Sequence, residues 1–192
     1  QAANLSYNVI SISRNIEPLS KVNGVESHSV DITDKKSISD FVEDLSKRNI
    51  KIDILINNAG ILGNIENQSF GNLDQALFEK VMAVNALGPL KVAEAFADSV
   101  ALSEQKKIVS MTSGLGSMQI TLNSDAFYYY RMSKAALNMG FKTLEIEWRR
   151  KHPHIKLLLI HPGTTDTELS KPFQKRLNPG MLQTVEQTSK YI

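Results

Sequence analysis

The chain contains no cysteine. Disulfides, thiol catalysis and thiolate metal sites are therefore excluded. It has no run approaching about 18 uninterrupted apolar residues, so no membrane span is expected. No secretory leader pattern is visible. The four histidines, His28, His152, His154 and His161, match no zinc spacing, and no metal is expected. Neither charge sign dominates, since 22 Lys and Arg stand against 20 Asp and Glu. The densest basic cluster, Arg149-Arg150-Lys151, closes an expected helix, where cations suit the C-terminus. No groove-reading motif accompanies it, so a nucleic-acid partner is not expected. Asn4-Leu5-Ser6 and Asn67-Gln68-Ser69 match the short glycosylation pattern, yet nothing else suggests secretion. The cytoplasm is the expected compartment.

What is present is enough for one domain. The chain has 192 residues, 42% hydrophobic and 22% charged, which allows a sizeable core. Strand-like and helix-like segments alternate. Val9–Ser13 reads as a strand, and residues 25–31 as a second. A helix follows Asp31-Ile32-Thr33-Asp34, with Ile38, Phe41, Val42 and Leu45 on one stripe. Residues 52–56 form an apolar run expected to be a parallel strand buried on both faces. A loop over 61–72 leads to a long helical stretch over 74–103, expected to bend at Gly88-Pro89. Lys107–Met111 and residues 155–160 read as strands, with a helix over 126–150 between them. Repeated strand–helix units predict an α/β fold, a doubly wound parallel sheet with helices on both faces.

The polar motifs each follow the C-terminal end of a strand, where open parallel sheets bind ligands. Tyr130 and Lys134 lie one helical turn apart on one face. A lysine can lower a phenol's pKa from about 10 towards neutrality, which makes tyrosine a usable acid or base. Together, Asn57-Asn58-Ala59-Gly60, Ser113, Tyr130-x-x-x-Lys134 and Pro162-Gly163-x-x-x-Thr167 resemble the short-chain dehydrogenase/reductase family. The order fits along nearly the whole chain. Residues 130–138 and His161-Pro162-Gly163-Thr164-Thr165-Asp166-Thr167 resemble its C-factor-like and sniffer-type carbonyl reductases.

The resemblance implies a Rossmann-like fold and a set of roles. Tyr130 is the implied proton donor or acceptor, and Lys134 lowers its pKa and holds the nicotinamide ribose. Ser113 donates to the reacting oxygen, with Thr112, Ser110 and Ser117 as rivals. Asn85 is the implied fourth catalytic residue, its rival reading a surface asparagine. Tyr128 and Tyr129 have no lysine four residues on, and with Phe127, Met118, Leu122 and Phe173 they could line a substrate pocket or pack. Asn58, Ala59 and Gly60 resemble the segment passing the adenine ribose, Gly60 through close approach or a positive φ. Asp31 and Ile32 resemble the adenine contacts, although Asp31 could be only a helix N-cap. Pro162, Gly163, Thr165 and Thr167 resemble the nicotinamide and pyrophosphate loop, although Thr167 could cap a helix starting near Glu168.

An NAD enzyme places an acid after the corresponding strand to hold the ribose 2′-hydroxyl. Here that point carries Ser13-Arg14-Asn15, and Arg14 offers a cationic fork to a 2′-phosphate. NADP(H) is therefore expected over NAD, unless Arg14 is only a surface residue. The implied activity is reduction of a ketone or aldehyde, or the reverse, on a small-molecule substrate. The rival is a member that senses cofactor or binds a partner without turnover. The helices over 74–103 and 126–150 are those that pair in the family's dimers, so a homodimer or homotetramer is expected. The family's opening strand and Thr-Gly-x-x-x-Gly-x-Gly loop, and its last strand, have no counterpart. Residues 1–192 thus read as a single domain trimmed at both ends.

Overall fold

The structure is a computed structural model that describes residues 7–120 and 126–190. The Asn4-Leu5-Ser6 pattern and Leu122 lie outside the described residues. Strand β1 (Val9–Ser13) pairs in parallel with β2 (Val25–Ser29), Val9 opposite Val25 and Ser13 opposite Ser29. Helix α1 (Lys35–Lys47) follows. Its N-cap is Asp34, whose carboxylate accepts from the Lys36 amide at 2.9 Å, so Asp31 is not the cap. Asn49, at φ 55°, ends the helix in the left-handed region that asparagine tolerates.

Strand β3 (Ile54–Asn57) comes next, then a short antiparallel pair, β4 (Gln68–Ser69) and β5 (Asn72–Leu73), inside the expected loop. Helix α2 (Gln75–Met82) is capped by Asp74, which accepts from Leu77 N at 3.0 Å. It runs through a wide π turn, Ala83–Leu87, into α3 (Gly88–Ala101). The distortion therefore lies one turn ahead of Gly88-Pro89, where it was expected. Pro89 sits in the first turn of α3, directly after the widened turn. Gly88 is there for space, because a Cβ would come within 2.9 Å of Ile32 Cδ1.

Strand β6 (Lys107–Met111), helix α4 (Tyr128–Lys151) and strand β7 (Lys156–Ile160) complete the sheet order β3-β6-β7, all parallel. Strands β8 (Thr164–Thr165) and β9 (Leu182–Gln183) pair in parallel, and α5 (Val185–Ser189) follows. No α-helix starts near Glu168; a 3-10 turn spans Lys171–Arg176, so Thr167 caps no α-helix.

The parallel α/β architecture is as read from the sequence. Helices α1, α3 and α4 share one core through Phe41, Phe96, Val100, Leu137, Phe141 and Trp148, packed on Val30 and Ile108. Truncating Phe141, 2% exposed, would cost about 3–5 kcal/mol. Two features differ from expectation. The strands form separate β1-β2 and β3-β6-β7 groups, with no ladder between β1 and β3 among the described residues. The face opposite the helices is open, with Ile56 50% and Leu158 42% exposed, so β3 is not buried on both faces. Among the described residues no helix is long and apolar enough to cross a membrane.

Candidate active site

The chemistry-bearing side chains gather where β3 and β6 end and α4 begins. Tyr130 stands in the first turn of α4, 8% exposed. Burial pushes its phenol above the ordinary value, and a hydrogen bond with Ser113 acts the other way. Ser113 follows β6 in extended backbone, and its Oγ also accepts from Leu115 N at 3.2 Å. Its rivals are occupied elsewhere. Ser110 accepts from Asn57 Nδ2 at 3.1 Å, Thr112 donates to Asn138 Oδ1 at 2.5 Å, and Ser117 accepts from Ile120 N at 3.2 Å.

Lys134 is 4% exposed and donates from Nζ to the Met111 carbonyl at 2.8 Å. Desolvation lowers its pKa to about 8. Nζ lies 5.7 Å from the centroid of the Tyr130 ring. Lysine was expected to depress the phenol; here Nζ makes no hydrogen bond to the phenol oxygen, and burial is the larger influence. The turn Gly114–Gly116 brings β6 onto α4, and Gly116 makes that possible. A Cβ there would lie 2.7 Å from the Lys134 carbonyl carbon and 2.9 Å from Ala135 N.

Asn85 is fully buried in the π turn, which excludes the surface reading. Its Oδ1 accepts from Ile61 N at 2.8 Å, and its Nδ2 donates to Ile61 O at 2.8 Å and Ser133 Oγ at 3.0 Å. Ser133 in turn donates to Tyr130 O at 2.8 Å. A widened helical turn is what aims this asparagine at the segment after β3. Gly60 has no positive φ; a Cβ on it would meet Asn85 Oδ1 at 3.6 Å and Lys134 Nζ at 3.8 Å, ordinary contacts. Gly60 therefore faces the space beside Lys134 without being forced on the protein by crowding.

Two further residues flank Tyr130: Phe127, which the sequence offered for a pocket or for packing, and Gln68, which escaped sequence reasoning. Phe127, just before α4, is left-handed at φ 69°, which costs a bulky residue about 1–2 kcal/mol. Packing holds it there, with Phe173 edge-on at 5.5 Å and Leu62 alongside. Gln68, fully buried, touches the start of α4 from the β4 side. A residue with no acceptor at the N-cap position is the only sequence hint that such a partner is needed. Tyr129 packs edge-on against Phe78 at 5.5 Å, Tyr128 is exposed, and Met118 is 93% exposed, so of the expected pocket residues Phe127 and Phe173 lie by Tyr130.

The nucleotide candidates lie across the sheet edge. Arg14, Asp31, Ile32, Ala59 and Gly60 line one open cavity of about 200 Å³, with Ile12, Ser13, Val30, Ile61 and Val84. Arg14 makes no salt bridge among the described residues, and its charge helps hold the Asp31 carboxyl below the usual range. The main cause of that depression is Thr33, whose amide and hydroxyl donate to Asp31 at 2.8 and 2.7 Å. Asn58 is exposed nearby. Apolar walls with a free cation and a carboxylate fit the adenosine end of a dinucleotide. The Pro162–Thr167 loop is tied internally. Gly163 has φ 78°, Thr165 Oγ1 bonds Thr188 Oγ1 at 2.9 Å, and Thr167 N donates to Ser170 Oγ at 3.2 Å.

Comparison with known proteins gives the class. The short chain dehydrogenase family matches residues 2–178. The chain belongs to that family of oxidoreductases. It is 35% identical over 121 residues to the C-signal protein of Myxococcus xanthus, covering 63% of this chain and 70% of that one. It is 34% identical over 144 residues to 1-hydroxy-2-glutathionyl-2-methyl-3-butene dehydrogenase of Rhodococcus sp. (strain AD45), covering 75% and 60%. The matched stretch thus spans under two thirds of that second relative. A short-chain dehydrogenase/reductase of Burkholderia multivorans, solved with bound NADP, superposes with a TM-score of 0.77 at 26% identity, covering 97% of this chain and 78% of that chain.

Proposed function

We propose that this protein is an NADP(H)-dependent oxidoreductase that reduces a ketone or aldehyde to an alcohol. The observation that carries the reading is the Ser113–Tyr130 hydroxyl pair beside buried Lys134, at the end of a parallel strand. Bound NADPH supplies the hydride. The protein's own groups supply the rest. Ser113 and Tyr130 offer two hydroxyls to one carbonyl oxygen, which fixes its position. As negative charge develops there, Tyr130 gives up its phenolic proton. The phenol is protonated at neutral pH, and the hydrogen bond with Ser113 acts against the burial that raises its pKa. Lys134, poised near 8, holds a proton that neutral solution can exchange, and so suits resupply of Tyr130. Asn85 keeps the Gly60–Ile61 backbone against this group. Arg14 and Asp31 hold the adenosine end, with Ile32, Asn58, Ala59 and Gly60 around it and Pro162, Gly163, Thr165 and Thr167 towards the nicotinamide. The NADP bound by the Burkholderia relative, and the free guanidinium of Arg14, support the 2′-phosphate cofactor over NAD.

The test is Tyr130→Phe, assayed by NADPH oxidation with a panel of aromatic and aliphatic carbonyl compounds. Turnover should fall about 10²- to 10⁴-fold, with NADPH binding by fluorescence titration retained. Equal turnover in both proteins would leave the rival reading, cofactor binding without chemistry. The outer face of α4 also carries Met132, Met139 and Ile146 at seven-residue spacing, 49%, 68% and 54% exposed. We take this stripe as the surface on which a second copy packs. Sedimentation should give a dimer or tetramer at micromolar concentration, and a monomer throughout would remove the idea.

A further inference from the structure

Helix α4 starts without a cap of its own. Phe127 occupies the N-cap position and offers no side-chain acceptor. An N-cap side chain ordinarily accepts from the second or third amide of the helix. In α4 those amides belong to Tyr129 and Tyr130, and both point at Gln68 Oε1, at 3.1 and 3.5 Å. The other end of the same side chain is fixed as firmly. Gln68 Nε2 donates to Leu62 O at 2.9 Å and Asn64 O at 3.1 Å. Two carbonyls on one side and two amides on the other leave only one orientation of the carboxamide that satisfies all four. The side chain is fully buried, so no water substitutes for it. Gly63 makes room, because a Cβ there, already at a left-handed φ of 81°, would stand 3.2 Å from Gln68 Nε2.

We propose that Gln68 is a positioning residue for Tyr130. It caps the first turn of α4 from 61 and 62 residues away and sets where that turn sits over the β6 end. The side chain ties the loop after β3, which carries Gly60 and Ile61, to the helix that carries the acid. Gln68 itself touches neither substrate nor cofactor. The proposal rests on the reading of Tyr130 as the acid, and its test separates the two.

Two variants differ in the end of the side chain that they spare. Gln68→Glu keeps an acceptor towards α4 but loses both donors and sets a carboxylate against two carbonyls. Gln68→Met keeps the volume and loses the whole cap. Stability, read by urea unfolding, should fall at least as much in Gln68→Glu as in Gln68→Met. Turnover with NADPH should rank the other way. Gln68→Met should lose on the order of 10- to 100-fold in kcat, as a displaced reacting group does, with KM for NADPH within about twofold. Gln68→Glu should stay within about threefold of wild type at 25 °C. A kcat that follows the stability order, or that is unchanged in Gln68→Met, overturns the proposal. One further readout needs no turnover. The Tyr130 phenol, isolated by subtracting the titration of Tyr130→Phe, should move back towards the ordinary tyrosine value in Gln68→Met as water enters the first turn. An unmoved midpoint overturns the proposal even if the protein proves inactive, and inactivity with a moved midpoint sinks only the enzyme reading.

Discussion

Around Tyr130 the polar side chains are buried and already paired, whereas around Arg14 they stand open. Asn85, Ser133, Lys134 and Gln68 are each under 5% exposed, and every one of them is hydrogen-bonded. Arg14 is exposed at a shallow cavity and makes no salt bridge among the described residues, Asn58 is exposed next to lining residue Ala59, and Asp31 is bonded to Thr33. Under the proposed function, the difference follows from what each half would have to do. Proton transfer depends on sub-ångström placement, which a rigid, desolvated set provides. A charged nucleotide must enter and leave, so its contacts wait at the surface. Ordering on binding is the cost of that openness.

That comparison can be broken most sharply through Lys134, beyond the loss expected of Tyr130→Phe. Burial holds its folded-state value near 8, against 10.5 in the unfolded chain. Between those values the unfolded chain binds more protons, so stability rises as pH climbs from about 8 to about 10.5. Below 8 both states are protonated and the burial penalty is felt in full. At about 1.36 kcal/mol per unit it is on the order of 3 kcal/mol, offset by about 1 kcal/mol for the bond to Met111 O. Lys134→Met should therefore be more stable than wild type at pH 7, and the advantage should be gone by about pH 10.5. Urea unfolding at the two pH values measures this. A variant less stable at both would mean that Lys134 is held at no cost. The smaller effect belongs to the open half. Arg14→Asp should weaken NADPH about 10- to 100-fold, the worth of a charge-assisted contact, and leave NADH nearly unchanged. Equal loss for both cofactors would place Arg14 outside the 2′-phosphate site.

The same contrast explains what could be read in the chain itself. Strand ends, the Tyr130–Lys134 spacing and the alternation of elements are local patterns, and they stand where the sequence puts them. The kink was not legible. Gly88-Pro89 is the visible punctuation, yet the helix widens at Asn85, because that side chain pairs with both backbone groups of Ile61, 24 residues earlier. Gln68 was not legible either, since its meaning lies in amides more than 60 residues away. The 3-10 turn at Lys171–Arg176 was not legible in detail, because Ser170 Oγ, donating to Thr165 O at 2.6 Å, folds that segment back on itself. The direction of the Tyr130 pKa was not legible for a different reason: spacing places Lys134 on the right face but says nothing of how deeply the phenol is buried.

The clasp between Asn85 and Ile61 joins the two halves physically. Ile61 lines the nucleotide cavity, Asn85 holds Ile61 by two bonds, and the same amide reaches Ser133, which bonds the Tyr130 carbonyl. The two ends of this chain of bonds are the cavity at Arg14 and the first turns of α4. Were the proposed nucleotide to shift Ile61, reciprocity would make the protonation state of Tyr130 and Lys134 shift its affinity by the same factor. In the language of linkage, the clasp would then show itself as a nucleotide dissociation constant that depends on pH.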